Sequence, residues 1–325
     1  MEGVRLRHGP VHPAPQGSGG VVTTRPVLVR SLRTAALGVV LALTMLLVPN
    51  SSVNPTDSAL VRVPRAEGVD LSPDVIWILA LGSDARPGQS VTRSRADAIQ
   101  LVGINTRTGA ATSIGVPRDS WVGIPGHGNE KITAAMYFGG PKLMAKAVGD
   151  LVGIEPDYVM VSSFWGLRHM VDAIGPITIS SPVAFSDPHL RPQGFRKGRQ
   201  QVGGMGALAF SRTRKALLRG DFDRSANQQR TIRAIHAKIR AKQAKPGFIE
   251  KGVLAVLTNM DAQVPPAELY RIAQAITQVR PGRITTCVVL GGIGNVGGAS
   301  VVFPNRSQAR RYGHDARKDA TIRSC

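Results

Sequence analysis

The sequence predicts an α/β protein, an α-β-α sandwich whose central mixed sheet is flanked by helices, preceded by one N-terminal transmembrane helix. Two observations predict the sandwich. From about residue 74 onward, short apolar runs of strand length alternate with longer stretches of helical periodicity. Of the 325 residues 42% are apolar, enough to bury a sizeable core and too many for a largely disordered chain. A third observation predicts the anchor: residues 35–48 read AALGVVLALTMLLV, and no charge occurs between Arg33 and Asp57.

Residues 1–33 form a basic leader, with Arg5, Arg7, Arg25, Arg30 and Arg33 set against the single acid Glu2. The positive-inside bias keeps such a leader in the cytoplasm and sends the rest of the chain out. The span at residues 34–49 is shorter than the ideal of about 20 residues, so a cleaved signal peptide is the competing reading. No A-x-A site follows it and the leader is long for a signal, which favours an uncleaved single-pass anchor in the cell membrane with an extracytoplasmic domain. Residues 50–73 mix Ser, Pro, Asn and charge without periodicity and read as a linker.

The folded part then starts near Asp74. Residues 75–81 (VIWILAL), 98–104 (AIQLVGI) and 157–161 (DYVMV) read as strands, with helices at 141–151 and 164–173. The most regular helix is expected over 224–242, where Ile232, Ile235 and Ile239 recur at helical spacing and Asp221 or Asp223 can cap its start. A helix at 266–279, a strand at 284–290, a glycine-rich loop at 291–298 and a strand at 299–303 follow. Residues 74–245 would form the main domain, with 246–325 adding helices and strands to it.

The formal charge of +20, from 41 Lys+Arg against 21 Asp+Glu, predicts anionic partners or an anionic surface. Nucleic acid is disfavoured, because the basic domain faces away from the cytoplasm and lacks aromatic stacking platforms. Cys287 and Cys325 are too few for a disulfide framework and lack C-x-x-C spacing; they read as one pair stapling the C-terminal tail or as two independent thiols.

Three constellations could carry chemistry. In LGSDARPG and RSRADAIQLVGIN, Asp84 follows a strand while Arg95 and Asp97 open the next, sharing one face of an extended segment. Two carboxylates at strand ends can hold Mg2+, a hard cation that keeps waters and substrate phosphates; a turn aspartate beside a surface ion pair is the plainer alternative. In GVPRDSWV, Arg118 and Asp119 end a strand after a proline, a string that by itself usually marks only a turn. The third, FSRTRKALLRGDFDRSANQQR, says more. If 211–214 is extended, Arg212 and Arg214 share a face and can grip phosphate oxygens; if helical, they diverge.

On the following helix, Arg224 and Gln228 fall on the side of Ile235 and Ile239, a polar pair on a buried face that a lined cavity would satisfy. Arg230, Arg233 and Arg240 fall on the other side as solvent-exposed charges. Between residues 191 and 251 sixteen Lys+Arg face only Asp221, Asp223 and Glu250, which concentrates the positive field there. The glycine run at 291–298 lacks the lysine of a phosphate-binding loop. The histidines show no metal-ligand spacing, and His236 reads as a helix-surface residue.

Taken as an ordered set, LALGSDAR, RADAIQLVGIN, SIGVPRDSWVGIPGHGNEKITAAMYFGG, VSSFWGLRHMVDAIGPITI and ALAFSRTRKALLRGDFDRSANQQRTI resemble the LytR-CpsA-Psr family over residues 79–232. Members are membrane-anchored phosphotransferases that move anionic glycopolymers, such as teichoic acids, from a polyprenyl-pyrophosphate carrier onto peptidoglycan. The resemblance implies Mg2+ at Asp84 and Asp97, and phosphate contacts and catalysis by Arg95 and Arg118 together with Asp97. It further implies pyrophosphate binding by Arg212, Arg214, Arg224 and Gln228, with Asp221 holding the arginines. Thr133 stands where the family commonly has Asn, and Arg-Ala-Asp replaces Arg-Ser-Asp; neither removes a charged site residue. A non-catalytic adaptor gripping anionic envelope polymer or lipid phosphate is the competing function.

Overall fold

The computed structural model describes residues 57–63 and 74–325, apart from the side chains of 255–259. The leader, the anchor at 34–49 and most of the linker lie outside the described residues. Among the described residues no helix is long and apolar enough to cross a membrane.

The centre is a seven-stranded mixed sheet formed by β1 (Ser58–Arg62), β2 (Val75–Ser83), β3 (Ala96–Asn105), β4 (Ala111–Gly115), β7 (Tyr158–Ser163), β12 (Asp261–Gln263) and β13 (Ile284–Val288), in the order β12-β1-β7-β2-β3-β4-β13. Three of its pairings are parallel, β1 with β12, β7 with β2 and β4 with β13. Strand β2 explains the uninterrupted apolar run. Its Trp77, Leu79 and Leu81 face one core and Ile76 and Ile78 another, so neither face meets water.

On the first face lie α1 (Ala134–Val152) and α7 (Arg306–Ala316), whose Met136, Met144, Leu151 and Tyr312 pack with Leu79, Ile99 and Leu101. On the other face lie α5 (Phe248–Asn259) and α6 (Pro266–Gln278), through Val253, Leu269 and Ile272. A separate core joins α2 (Phe164–Ile174), β8 (Ile177–Ser181), β9 (Phe185–Asp187), β10 (Arg191–Phe195), β11 (Gly198–Val202) and α3 (Gly204–Arg212) to α4 (Asp221–Lys242). Helix α4 joins this core to the sheet, with Ala234 and Ile235 in the core and Gln228 and Gln229 bonded to β3 and β13. The sandwich expected from the alternation of elements is thus present.

Several details differ from expectation. The stretch read as linker contributes β1, whose Ala59, Leu60 and Val61 are buried between β7 and β12; five apolar-centred residues flanked by Ser, Pro and charge carry too weak a pattern to read alone. Helix α1 begins at Ala134, seven residues before the expected start, because Gly140 at φ 69° breaks it just ahead of Pro141 and only the second half shows regular spacing. Neither Asp221 nor Asp223 caps α4; both lie in its first turn and Gly220 at φ 50° is the cap. The glycine run forms β14 (Gly291–Val296), paired with β15 (Ala299–Pro304) across a turn at Gly297 and Gly298. Cys287 and Cys325 form a disulfide with Cα atoms 5.4 Å apart, tying the tail to β13.

Candidate active site

The site is built where β2 ends and β3 begins. Asp84 follows β2 and is locked to the base of β3: its Oδ1 accepts the Arg95 N–H at 2.9 Å, and its own N–H donates to Arg95 O at 3.0 Å. Gly82 pairs with Ala98 but Ser83 pairs with Ala96, so Asp97 is the extra residue of a β-bulge. Regular alternation would place Asp97 with Ile99 in the first core. The bulge re-aims it toward the opposite face, where it lines a cavity.

The turn after β4 delivers the partners. Arg118 forms an ion pair with Asp97 through Nη1, and its Nε lies 3.9 Å from Asp119 Oδ1. Its main-chain N–H donates to Asp221 Oδ2 at 3.0 Å, and Asp221 also pairs with the Arg224 guanidinium. Asp119 receives two more cations, Lys131 at 3.2 Å from the end of the hairpin β5 (Trp121–Ile124) and β6 (Gly128–Lys131), and Arg214 at 3.3 Å. Arg118, Lys131, Arg214 and Arg224 therefore surround Asp97, Asp119 and Asp221 in one interlinked cluster.

Burial sets its electrostatics. Arg224 is 6% exposed and burial lowers its pKa; burial raises that of Asp221 despite the cations around it. For Arg118 burial works the same way but is outweighed by Asp97 and Asp119, which raise its pKa. The buried Arg118 Nε makes no hydrogen bond among the described residues, and the carboxylate it faces is that of Asp119 at 3.9 Å.

Helix α4 is seated on the sheet by buried amides. Gln100 Nε2 donates to Ser225 Oγ at 3.0 Å and to Gln228 Oε1 at 3.2 Å, and Gln229 Nε2 donates to Cys287 O at 2.7 Å. Gly115 permits this approach, because a Cβ there would collide with Ser225 Oγ and lie 3.0 Å from Gln229 Nε2. As expected, Arg224 and Gln228 share the face of Ile235 and Ile239.

That face closes a cavity of about 320 Å3 between the sheet, α2 and α4. Ile78, Val102, Met160, Leu167 and Ile239 line its length, while Asp97, Arg212, Arg224 and Gln228 also face into it. An apolar channel meeting a cationic cluster suits a ligand with a long hydrocarbon chain and an anionic head.

Two expectations about the arginines are corrected. Residues 211–212 are helical, the last of α3, so Arg212 and Arg214 do not share a strand face: Arg212 lies 3.9 Å from the centroid of the Phe164 ring, whereas Arg214 points to Asp119. Of the arginines read as free surface charges, Arg233 is exposed, but Arg240 donates to Val279 O at 2.6 Å and Arg230 to Asn227 Oδ1 at 2.8 Å. His236 is buried rather than superficial, with Nε2 3.1 Å from Ile276 O. The Arg95 side chain is exposed, and only its main chain is joined to Asp84.

Asp119 and Lys131 join the cluster without having been expected there: Asp119 stands in the PRD string, but Lys131 arrives only through the hairpin fold. Among the described residues no group of three or more His, Cys, Asp or Glu converges as a metal site. Asp84 is tied to the Arg95 main chain and Asp97 to Arg118, and an Mg2+ ion ordinarily needs only one or two carboxylates, completing its shell with water and phosphate.

A family model described as the LytR_cpsA_psr family matches residues 48–318. The polyisoprenyl-teichoic acid–peptidoglycan teichoic acid transferase TagT of Bacillus subtilis (strain 168) is 33% identical over 193 residues, 57% of this chain and 59% of that protein. The probable cell wall biosynthesis protein LcpB of Corynebacterium glutamicum is 32% identical over 213 residues, 62% of this chain and 49% of that protein. The chain thus spans about half to three fifths of the length of these relatives. Among solved structures, TagT bound to LI-WTA superposes with a TM-score of 0.61 at 25% identity, covering 80% of this chain and 96% of that one. TagT with bound octaprenyl pyrophosphate lipid gives 0.56 at 25% identity, covering 76% and 91%. Bacillus subtilis TagV shares the fold with a TM-score of 0.62 at 23% identity, covering 77% and 100%.

Proposed function

The chain belongs to the LytR_cpsA_psr family, and from that premise we propose that it is a phosphotransferase moving an anionic glycopolymer from a polyprenyl-pyrophosphate carrier onto a sugar hydroxyl of peptidoglycan. The observation that carries this reading is the apolar cavity faced at one part by Asp97, Arg212, Arg224 and Gln228 and continuous with the Arg118 cluster. The polyprenyl chain would lie along the aliphatic walls and the diphosphate among the guanidinium groups.

An acceptor hydroxyl attacks the glycan-proximal phosphorus. A new oxygen–phosphorus bond forms as the hydroxyl proton passes to solvent, the bridging bond of the diphosphate breaks, and polyprenyl phosphate leaves. Arg118 and Arg224 donate to the phosphate oxygens where negative charge builds. Asp221 acts by position, holding the Arg118 main chain and the Arg224 guanidinium at once. Arg212, Arg214 and Gln228 fix the head group, and the exposed Arg95 adds a further phosphate contact. Mg2+ would be held by Asp84 and Asp97 and would supply charge neutralisation at the phosphates. Water entering in place of the sugar would give pyrophosphate hydrolysis as a side activity.

The basic leader and the uncharged run at 34–49 support a single-pass membrane anchor with this domain outside the cytoplasm, beside both donor and acceptor. The deciding experiment incubates the full chain in detergent with a labelled polyprenyl-pyrophosphate saccharide, Mg2+ and peptidoglycan. Label in the polymer with stoichiometric polyprenyl phosphate supports transfer; tight donor binding without release of polyprenyl phosphate would favour the adaptor.

A further inference from the structure

The start of α1 carries an aromatic cluster that the diphosphate site does not use. Tyr137 is 61% exposed and Phe138 36%. Phe138 stacks on His127 with ring centroids 4.5 Å apart and planes 11° from parallel, and Tyr137 meets Phe138 edge-on at 5.9 Å. The neighbouring Met136 is fully buried and supplies this turn's packing, so the exposed rings are not needed to seat the helix.

Short connections join the cluster to the charged site. Thr133, just before α1, donates its N–H to Arg118 O at 3.2 Å and its Oγ1 to Ala96 O at 2.8 Å, beside Asp97. Lys131, paired with Asp119, and His127 belong to the same hairpin. At about 3.3 Å per strand residue, the His127 turn stands roughly 10–13 Å from Lys131. Arg93 Nη1 donates to Phe138 O at 3.4 Å, two residues before Arg95, and both arginines are exposed.

Direction selects the occupant. Helix α1 packs on the sheet face opposite the cavity. In phosphoryl transfer the entering and leaving oxygens lie roughly in line. If the lipid phosphate departs along the cavity, the attacking hydroxyl arrives from the α1 side, where the rings are. Charge agrees, since a peptidoglycan strand bears carboxylates on its peptide stems and the exposed Arg93 lies against the platform at the Phe138 carbonyl.

We propose that Tyr137, Phe138 and His127 form a platform for the acceptor glycan strand, stacking the C–H faces of sugars one or two units away from the attacking hydroxyl. This rests on the transferase reading above and assigns its acceptor side. Kinetics of the full chain with Tyr137→Ala, Tyr137→Trp and Phe138→Ala test it, with soluble peptidoglycan oligomers and a polyprenyl-pyrophosphate saccharide varied separately. An aromatic contact of this kind predicts a rise of about five- to tenfold in KM for the oligomer in Tyr137→Ala. The KM for the lipid donor stays put, and Tyr137→Trp restores the oligomer value. An unchanged oligomer KM, or equal rises for donor and oligomer, overturns the platform. Oligomer binding without donor, followed by chemical-shift perturbation, separates the two readings. A wild-type chain that binds oligomers through Tyr137 yet transfers nothing sinks the transferase and keeps the platform; transfer indifferent to Tyr137 sinks the platform alone.

Discussion

Asp221 Oδ2 accepts the main-chain N–H of Arg118 at 3.0 Å, so the first turn of α4 holds the turn that presents Arg118 to Asp97. Asp221 also pairs with Arg224, and both side chains are nearly inaccessible, at 9% and 7% exposure. One carboxylate therefore fixes two of the cations assigned to the diphosphate.

Removing that carboxylate leaves the Arg224 charge buried without its partner. Asp221→Ala is expected to destabilise the fold by about 3–5 kcal/mol, the usual cost of breaking one side of a buried pair. Asp221→Asn, which keeps an oxygen for the Arg118 N–H, should lose less. Urea unfolding of the two variants checks the order, and equal stability of Asp221→Ala and wild type would contradict it.

Gly115 is the contact point of α4 on β4. In Gly115→Ala the new methyl meets Ser225 Oγ and Gln229 Nε2, and overpacking of this kind costs about 1–3 kcal/mol. Because Gln228 sits one turn of helix beyond Ser225, donor affinity should fall along with the melting temperature. Weakened donor binding at an unchanged melting temperature would mean that the helix shifts without strain.

His236 makes stability depend on pH. Burial lowers its pKa from the ordinary 6.5, against the smaller opposing effect of the Ile276 carbonyl. The folded state thus binds this proton more weakly than the unfolded chain, and unfolding takes up a proton below pH 6.5. Stability contributed by neutral His236 is complete above that pH and falls as pH drops into the lowered range. Denaturation midpoints at pH 7.5 and pH 5.0 should differ more for wild type than for His236→Gln; an identical difference refutes the assignment.

The disulfide between Cys287 and Cys325 closes a separation of 38 residues. Chain-entropy reasoning gives it about 2–4 kcal/mol. Cys325→Ser, at an exposed position, and reduced wild type should unfold at the same lower urea concentration. If reduction leaves the midpoint unmoved, the tail contributes nothing to stability.

Local pattern carried the strands buried on both faces, such as β2 and β3, and the cavity face of α4, where Arg224, Gln228, Ile235 and Ile239 align by helical spacing alone. Non-local pairing carried what was missed. Strand β1 is a strand because β7 and β12 flank it, and β14 overcomes its glycines by pairing along all six residues with β15. The aim of Asp97 depends on a bulge, which shows only when Gly82 and Ser83 are set against their partners. Lys131 joins the site because a hairpin turns it back on Asp119, twelve residues earlier. Charge identity was legible in the sequence; which acid holds which base required the fold.

If the cluster around Arg118 turns over the diphosphate of a lipid held in the cavity, its removal shows in single-turnover release of polyprenyl phosphate by Arg118→Ala at saturating donor and Mg2+. Loss of one transition-state donor predicts a rate about 10²–10³-fold below wild type with the donor still bound. Release at the wild-type rate by a folded Arg118→Ala protein would remove Arg118 from the chemistry.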